Sequence, residues 1–136
     1  MSLEQDVSWN EIESMVMILS KKITKLSRTF SSITTLSRGG LVPSRLLADH
    51  LGIETIFVDK RKITSDSLFV DDIFDSGKTF DKISSKVDAP KKLVFVTLFA
   101  RRGKKYPKNL VYAKKTNNDA YVIFPWDKLE FQRSKK

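Results

Sequence analysis

The chain reads as one α/β domain: a mostly parallel, twisted sheet flanked by helices. Three observations lead there. Amphipathic helical segments and short β-prone runs follow one another in the order α-β-α-β-β-α-β-β-β. Strands followed by helices imply right-handed parallel crossovers, which cover both faces of a sheet. The length, 136 residues, suits a single hydrophobic core. In such sheets ligands sit beyond the carboxyl ends of the strands, so the loops at those ends carry the functional argument.

The first helix is predicted over residues 9–27. Ser8 and Glu11 form a capping box, and Ile12, Met15, Val16, Leu19, Ile23 and Leu26 recur at helical spacing. A short strand over residues 31–36 leads to the loop Ser37-Arg38-Gly39-Gly40. Pro43 suits a first helical turn. Val42, Leu46, Leu47 and Leu51 fit one face of the helix that follows, and Gly52 fits the left-handed position past its end. Strands are expected over residues 54–58 and 68–70, joined by a short polar connection, residues 60–66. A helix over residues 79–87 turns Ile83 and Val87 inward. Residues 93–100 read as a strand, 101–109 as a basic loop, and 110–113 and 121–124 as two further strands. Pro125-Trp126-Asp127 closes the ordered part; residues 1–7 and 130–136 are expected to be loose ends.

Bulk composition sets limits. With 40% hydrophobic and 30% charged residues the chain is ordinary for a soluble domain, and no apolar run approaches the ~20 residues of a membrane span. The acidic start lacks the apolar core of a secretory signal. The absence of cysteine excludes disulfides and thiolate metal sites, and the lone His50 excludes a histidine-built one. A cytoplasmic protein fits these features. The formal charge of +9 is spread over scattered basic pairs, Lys135-Lys136 among them. It reads either as solvated surface or as partly serving a multiply phosphorylated small substrate. No nucleic-acid-binding motif accompanies it, so no specific nucleic-acid partner is expected.

The most informative stretch is Ser67-Leu68-Phe69-Val70-Asp71-Asp72-Ile73-Phe74-Asp75-Ser76-Gly77-Lys78-Thr79. An apolar run ends at adjacent carboxylates, a third acid follows, and small polar residues open a helix. Clustered like charges repel, so something outside the chain must offset them: a metal ion, sugar hydroxyls or a ring of donors. The small residues after them suit a turn whose backbone N–H groups face an anion. Acceptors for a polyol or metal beside donors for a phosphate match a sugar phosphate. Gly77-Lys78-Thr79 imitates the end of a nucleotide-binding P-loop, but Asp72 stands where that motif needs glycine. In the earlier loop, Gly39 and Gly40 permit close backbone approach to an anion and Arg38 offers a forked donor, although a plain steric turn reads the same way.

Val70 to Thr79 resembles the PRPP-binding motif of the type I phosphoribosyltransferases. Ser37-Arg38-Gly39-Gly40-Leu41-Val42-Pro43 and the helix after it resemble the pyrophosphate loop of the bacterial xanthine-guanine (hypoxanthine) subfamily. Val7-Ser8-Trp9, Phe95 to Ala100 and Pro125-Trp126-Asp127 resemble that subfamily too. The resemblance implies a single-domain type I phosphoribosyltransferase-like fold with a small C-terminal hood. It implies transfer of 5-phosphoribose from PRPP to guanine, xanthine or hypoxanthine with Mg²⁺, in a homodimer or tetramer. Asp71 and Asp72 would bind the ribose hydroxyls and, through water, the Mg²⁺; Asp75 would be the general base or acid. Asp75, Ser76, Gly77, Lys78 and Thr79 would cradle the 5′-phosphate. Ser37, Arg38 and Gly39 would hold pyrophosphate, with a cis Ser37–Arg38 peptide. Arg101, Tyr121 and Val122 would receive the purine.

Two departures stand out. Arg101 replaces the usual lysine. The long flexible loop of the family shrinks to about residues 60–67, which opens the alternative of a binding or regulatory protein with little turnover, unless Lys60, Arg61 and Lys62 reach the pyrophosphate or a partner subunit supplies a lid.

Overall fold

The computed structural model describes residues 3–134; Met1, Ser2, Lys135 and Lys136 lie outside the described residues. The element order is β1 (Glu4–Asp6), α1 (Trp9–Thr24), β2 (Ser32–Thr35), α2 (Leu41–Leu51), β3 (Ile56–Val58), β4 (Ser67–Phe74), α3 (Lys78–Ser84), β5 (Phe95–Ala100), β6 (Leu110–Lys115), β7 (Tyr121–Ile123) and α4 (Lys128–Ser134). Single 3-10 turns at Pro90–Lys92 and Pro125–Asp127 precede β5 and α4. Among the described residues no helix is long and apolar enough to cross a membrane.

Five strands form an all-parallel sheet in the order β3-β2-β4-β5-β6. From β2 the chain steps first to one side, to β3, and then across to β4 and outward. The direction of winding therefore reverses beside β2 and β4, and the crevice beyond their carboxyl ends is where a doubly wound sheet receives a ligand. Alternation along β4 builds both cores: Leu68 and Val70 join the cluster under α1 and α2, while Phe69 faces the opposite side with Phe95, Ile83 and Leu93.

Helix α1 begins as the capping box predicts. Glu11 N–H donates to Ser8 Oγ (3.1 Å) and Ser8 N–H to Glu11 Oε1 (3.3 Å). Helix α2 ends at Gly52, whose φ of 69° needs glycine. Its inward face is Pro43, Ser44, Leu47 and Ala48, with Val42, Leu46 and Leu51 only half-buried. The small side chains let the helix lie close to the sheet, which turns the expected stripe by about one position. His50 is exposed.

Three expectations are corrected. Strand β4 does not stop at Val70: it runs through the acids to Phe74, because Asp71, Ile73 and Phe74 have β5 partners in Thr97, Phe99 and Ala100. Of residues 1–7, those from Glu4 to Val7 are not loose. β1 pairs in parallel with β7, Glu4 opposite Tyr121 and Asp6 opposite Ile123, and Val7 is buried. The two strands form the hood over the end of the main sheet, where Phe124 stacks on Trp126 (centroids 4.9 Å apart) and Trp9 meets the same indole at 5.9 Å. Residues 130–134 are not loose either; they belong to α4.

The short connection between β3 and β4 lies against the end of α3. Ile63 is buried, its N–H donates to the Lys86 carbonyl (3.0 Å), and its carbonyl accepts from Asp88 N–H (3.1 Å). Ser65 N–H donates to Asp88 Oδ1 (2.9 Å).

Phe69 is fully buried and stacked on Phe95 at 4.8 Å. Phe69→Ala is expected to destabilise the fold by about 3–5 kcal/mol, read from the shift of a denaturant-unfolding curve.

Candidate functional site

The end of β4 is the floor of the site. Asp71 and Asp72 are both half-buried, and Asp72 N–H donates to Asp71 Oδ1 (2.9 Å). Burial raises the Asp71 pKa above the ordinary carboxylate value. Burial first, then the charge of Asp71, pushes Asp72 up to about 7. The turn Asp75-Ser76-Gly77 follows, with Gly77 at φ 88° as the residue before α3. A cleft of about 180 Å³ is lined by residues 71–80 and Phe95, so the two acids and the small polar turn face one space.

The loop after β2 abuts this floor. The Ser37–Arg38 peptide is cis. A Cβ at Gly39 would stand 2.7 Å from Asp72 Oδ2; one at Gly40 would run into Thr35 Oγ1 and stand 2.7 Å from the Val70 carbonyl. The two glycines thus bring one loop against the other, a role beyond approach to an anion. Asp59, which the sequence reading missed, anchors the loop. Its carboxylate accepts from Ser37 N–H (3.0 Å) and Ser37 Oγ (2.6 Å), and its own N–H donates to the Thr35 carbonyl (2.9 Å). These bonds hold the Asp59 carboxyl below its ordinary pKa. The only sequence signal was an aspartate just past a strand, at a position that proves to have φ 55°.

A third segment closes the side. The Arg101 side chain is 12% exposed; Nε pairs with Asp75 Oδ1 (3.1 Å) and Nη1 donates to the Ala120 carbonyl (2.7 Å). Its backbone is fixed as well: its N–H donates to the Phe74 carbonyl (2.7 Å) and its carbonyl accepts from Tyr106 Oη (2.7 Å). Arg101 therefore ties the Asp75 turn to the start of β7. A cleft of about 150 Å³ lies among Asp72, Asp75, Arg101, Tyr121, Val122 and Asp127, with Tyr121 58% exposed. It adjoins a larger one, about 500 Å³, between Ser37, Arg38 and Gly39 on one side and Tyr121, Asp127 and α4 on the other. Asp127, also missed, is raised in pKa by burial first and then by the charges of Asp72 and Glu130.

The structure thus brings the residues singled out in the two loops, Arg101, Tyr121 and Val122 around connected clefts. Lys60, Arg61 and Lys62 line none of the three. Among the described residues, no three carboxylates or histidines are grouped to hold a metal. Two adjacent carboxylates fit a Mg²⁺ that keeps waters and takes its remaining ligands from a phosphorylated substrate.

The fold is that of the type I phosphoribosyltransferases, with a shortened connection after β3 and a two-stranded hood. The chain is 26% identical over 144 residues to the xanthine-guanine phosphoribosyltransferase of Gluconobacter oxydans, covering 89% of this chain and 83% of that one. Among solved structures, the Helicobacter pylori xanthine-guanine-hypoxanthine phosphoribosyltransferase superposes with a TM-score of 0.75 at 17% identity, over 96% of this chain and 99% of the other. A purine phosphoribosyltransferase from Pyrococcus horikoshii gives 0.72 at 20% identity, over 90% and 93%. No protein-family model matches the chain.

The raised pKa of Asp72 has a testable sign. Between about pH 4 and 7 the folded protein holds a proton there that the unfolded chain has released. Metal-free stability therefore falls as pH rises through that window. Asp72→Asn is expected to flatten the fall and to be more stable than wild type at pH 8, as read from denaturant midpoints across the range.

Proposed function

We propose that the protein is a purine phosphoribosyltransferase that transfers the 5-phosphoribosyl group of PRPP to guanine, xanthine or hypoxanthine. The bond from ribose C1 to the pyrophosphate oxygen breaks, a bond from C1 to a purine ring nitrogen forms, and pyrophosphate leaves. The observation that carries this reading is one contact. At the switch point of the sheet, the Arg38–Gly39 loop lies against the carboxylate of Asp72, so sites for a polyanion and for a polyol share a wall.

Position supports each role. Asp71 and Asp72 hold the ribose hydroxyls, whose donors and nearby positive charge relieve two half-buried carboxylates. Ser76, Thr79 and the backbone N–H groups from Asp75 through Lys78 to Thr79, around Gly77, hold the 5′-phosphate ahead of α3. Ser37, Arg38 and Gly39 orient the leaving pyrophosphate. A Mg²⁺ held through water by Asp71 and Asp72 would supply positive charge to the pyrophosphate. Tyr121 supplies a stacking face, the Val122 backbone lies at the edge of the base, and Asp75 exchanges a proton with a purine nitrogen. Arg101 keeps Asp75 turned toward that cleft and presents a guanidinium beside the base.

The test is incubation with PRPP, Mg²⁺ and each purine in turn, followed by anion-exchange chromatography. The 6-oxopurines are expected to yield nucleotide and pyrophosphate in equal amounts. PRPP binding without any nucleotide product would make the chain a binding protein instead. Asp75→Asn is expected to lower kcat about 100-fold or more; turnover near wild type would remove Asp75 from the mechanism.

A further inference from the structure

Helix α4 stands on the site in two places. Glu130 Oε2 lies 4.0 Å from Arg38 Nη2, both side chains being largely exposed, and Phe131 stacks on Tyr121 with ring centroids 5.7 Å apart at 24°. Glu130, Phe131 and Ser134 form one wall of the large cleft. We propose that α4 is a displaceable plug that competes with substrate, Glu130 standing in for pyrophosphate on Arg38 and Phe131 covering one face of Tyr121. The inference rests on the roles of Arg38 and Tyr121 in the proposed reaction.

A carboxylate beside Arg38 satisfies the same guanidinium that a pyrophosphate would. Once pyrophosphate sits there, Glu130 becomes a like charge at close range in a cleft that already holds Asp127 and adjoins the one lined by Asp72. Binding of the polyanion therefore favours release of the helix. The helix is also weakly held: none of its side chains is buried, and Leu129 is 67% exposed. The exposed ion pair and the aromatic stack together contribute roughly three- to tenfold to the excess of the closed state. A site closed that often shows an apparent affinity reduced by the same factor.

The test uses the full chain, the variants Glu130→Gln, Phe131→Ala and their double, and a chain ending at Asp127. PRPP with Mg²⁺ and pyrophosphate are titrated by calorimetry, and kcat is measured alongside. The single variants should bind PRPP about threefold more tightly and the double variant up to about tenfold, with kcat unchanged. Both substitutions fall on exposed or half-buried positions, so the result does not depend on the shortened chain folding. In wild type, amide exchange over residues 128–134 should quicken when PRPP is added. Unchanged affinity in the double variant, or slower exchange on binding, overturns the plug. Weaker binding with a fall in kcat would make α4 a closing lid and overturns it too. If wild type makes nucleotide while the double variant binds as before, only this inference falls; if no form binds PRPP or pyrophosphate, the reading of the site falls with it.

Discussion

The structure depends on a close approach between two chain segments. Thr35, at the end of β2, donates through Oγ1 to the Val70 carbonyl of β4 (2.6 Å), and Gly40 lies over both groups with no room for a side chain. Next to it, Gly39 lies against Asp72. The same few atoms therefore fix the spacing of two central strands, the start of α2 and the wall between the candidate sugar and pyrophosphate subsites. A turn that serves the sheet and the ligand together leaves little freedom for either, which is why the loop needs the further anchor of Asp59.

Charge is distributed to match. The chain carries a formal +9, yet the floor of the site is built from carboxylates, three of which have raised pKa values. Burial is the first cause in each case. The positive residues at the site stand at its margins: Arg38 on the loop after β2, Lys78 opening α3, and Arg101 paired with Asp75. Such a floor is poorly solvated when empty and suits a ligand that brings hydroxyl donors and a cation. The basic margins suit its phosphates.

Much of this was legible in the sequence where the signal is local. The capping box of α1, the glycine that ends α2 and the acids followed by small polar residues all act within a few positions, and each lies where the reading put it. What escaped was non-local. Charged residues rarely continue a strand, so β4 appeared to end at Val70; pairing with β5 overrides that preference. β1 has three residues and little apolar pattern, and is a strand only because β7 offers an edge. The pairing of Arg101 with Asp75 joins residues 26 apart and Asp59 serves Ser37 from 22 away, separations that carry no periodicity.

The hood has a consequence for how the molecule comes together. Residues 4–6 find their partners only at 121–123, so this pairing closes a loop of nearly the whole chain. During synthesis the parallel sheet through β6 emerges before that partner exists. The side of the cleft that carries Tyr121, along with the Ala120 carbonyl that steadies Arg101, is thus assembled after the main sheet. A partly made chain already displays its acid-bearing strand, while the exposed ring of Tyr121 arrives only after β6 has been made.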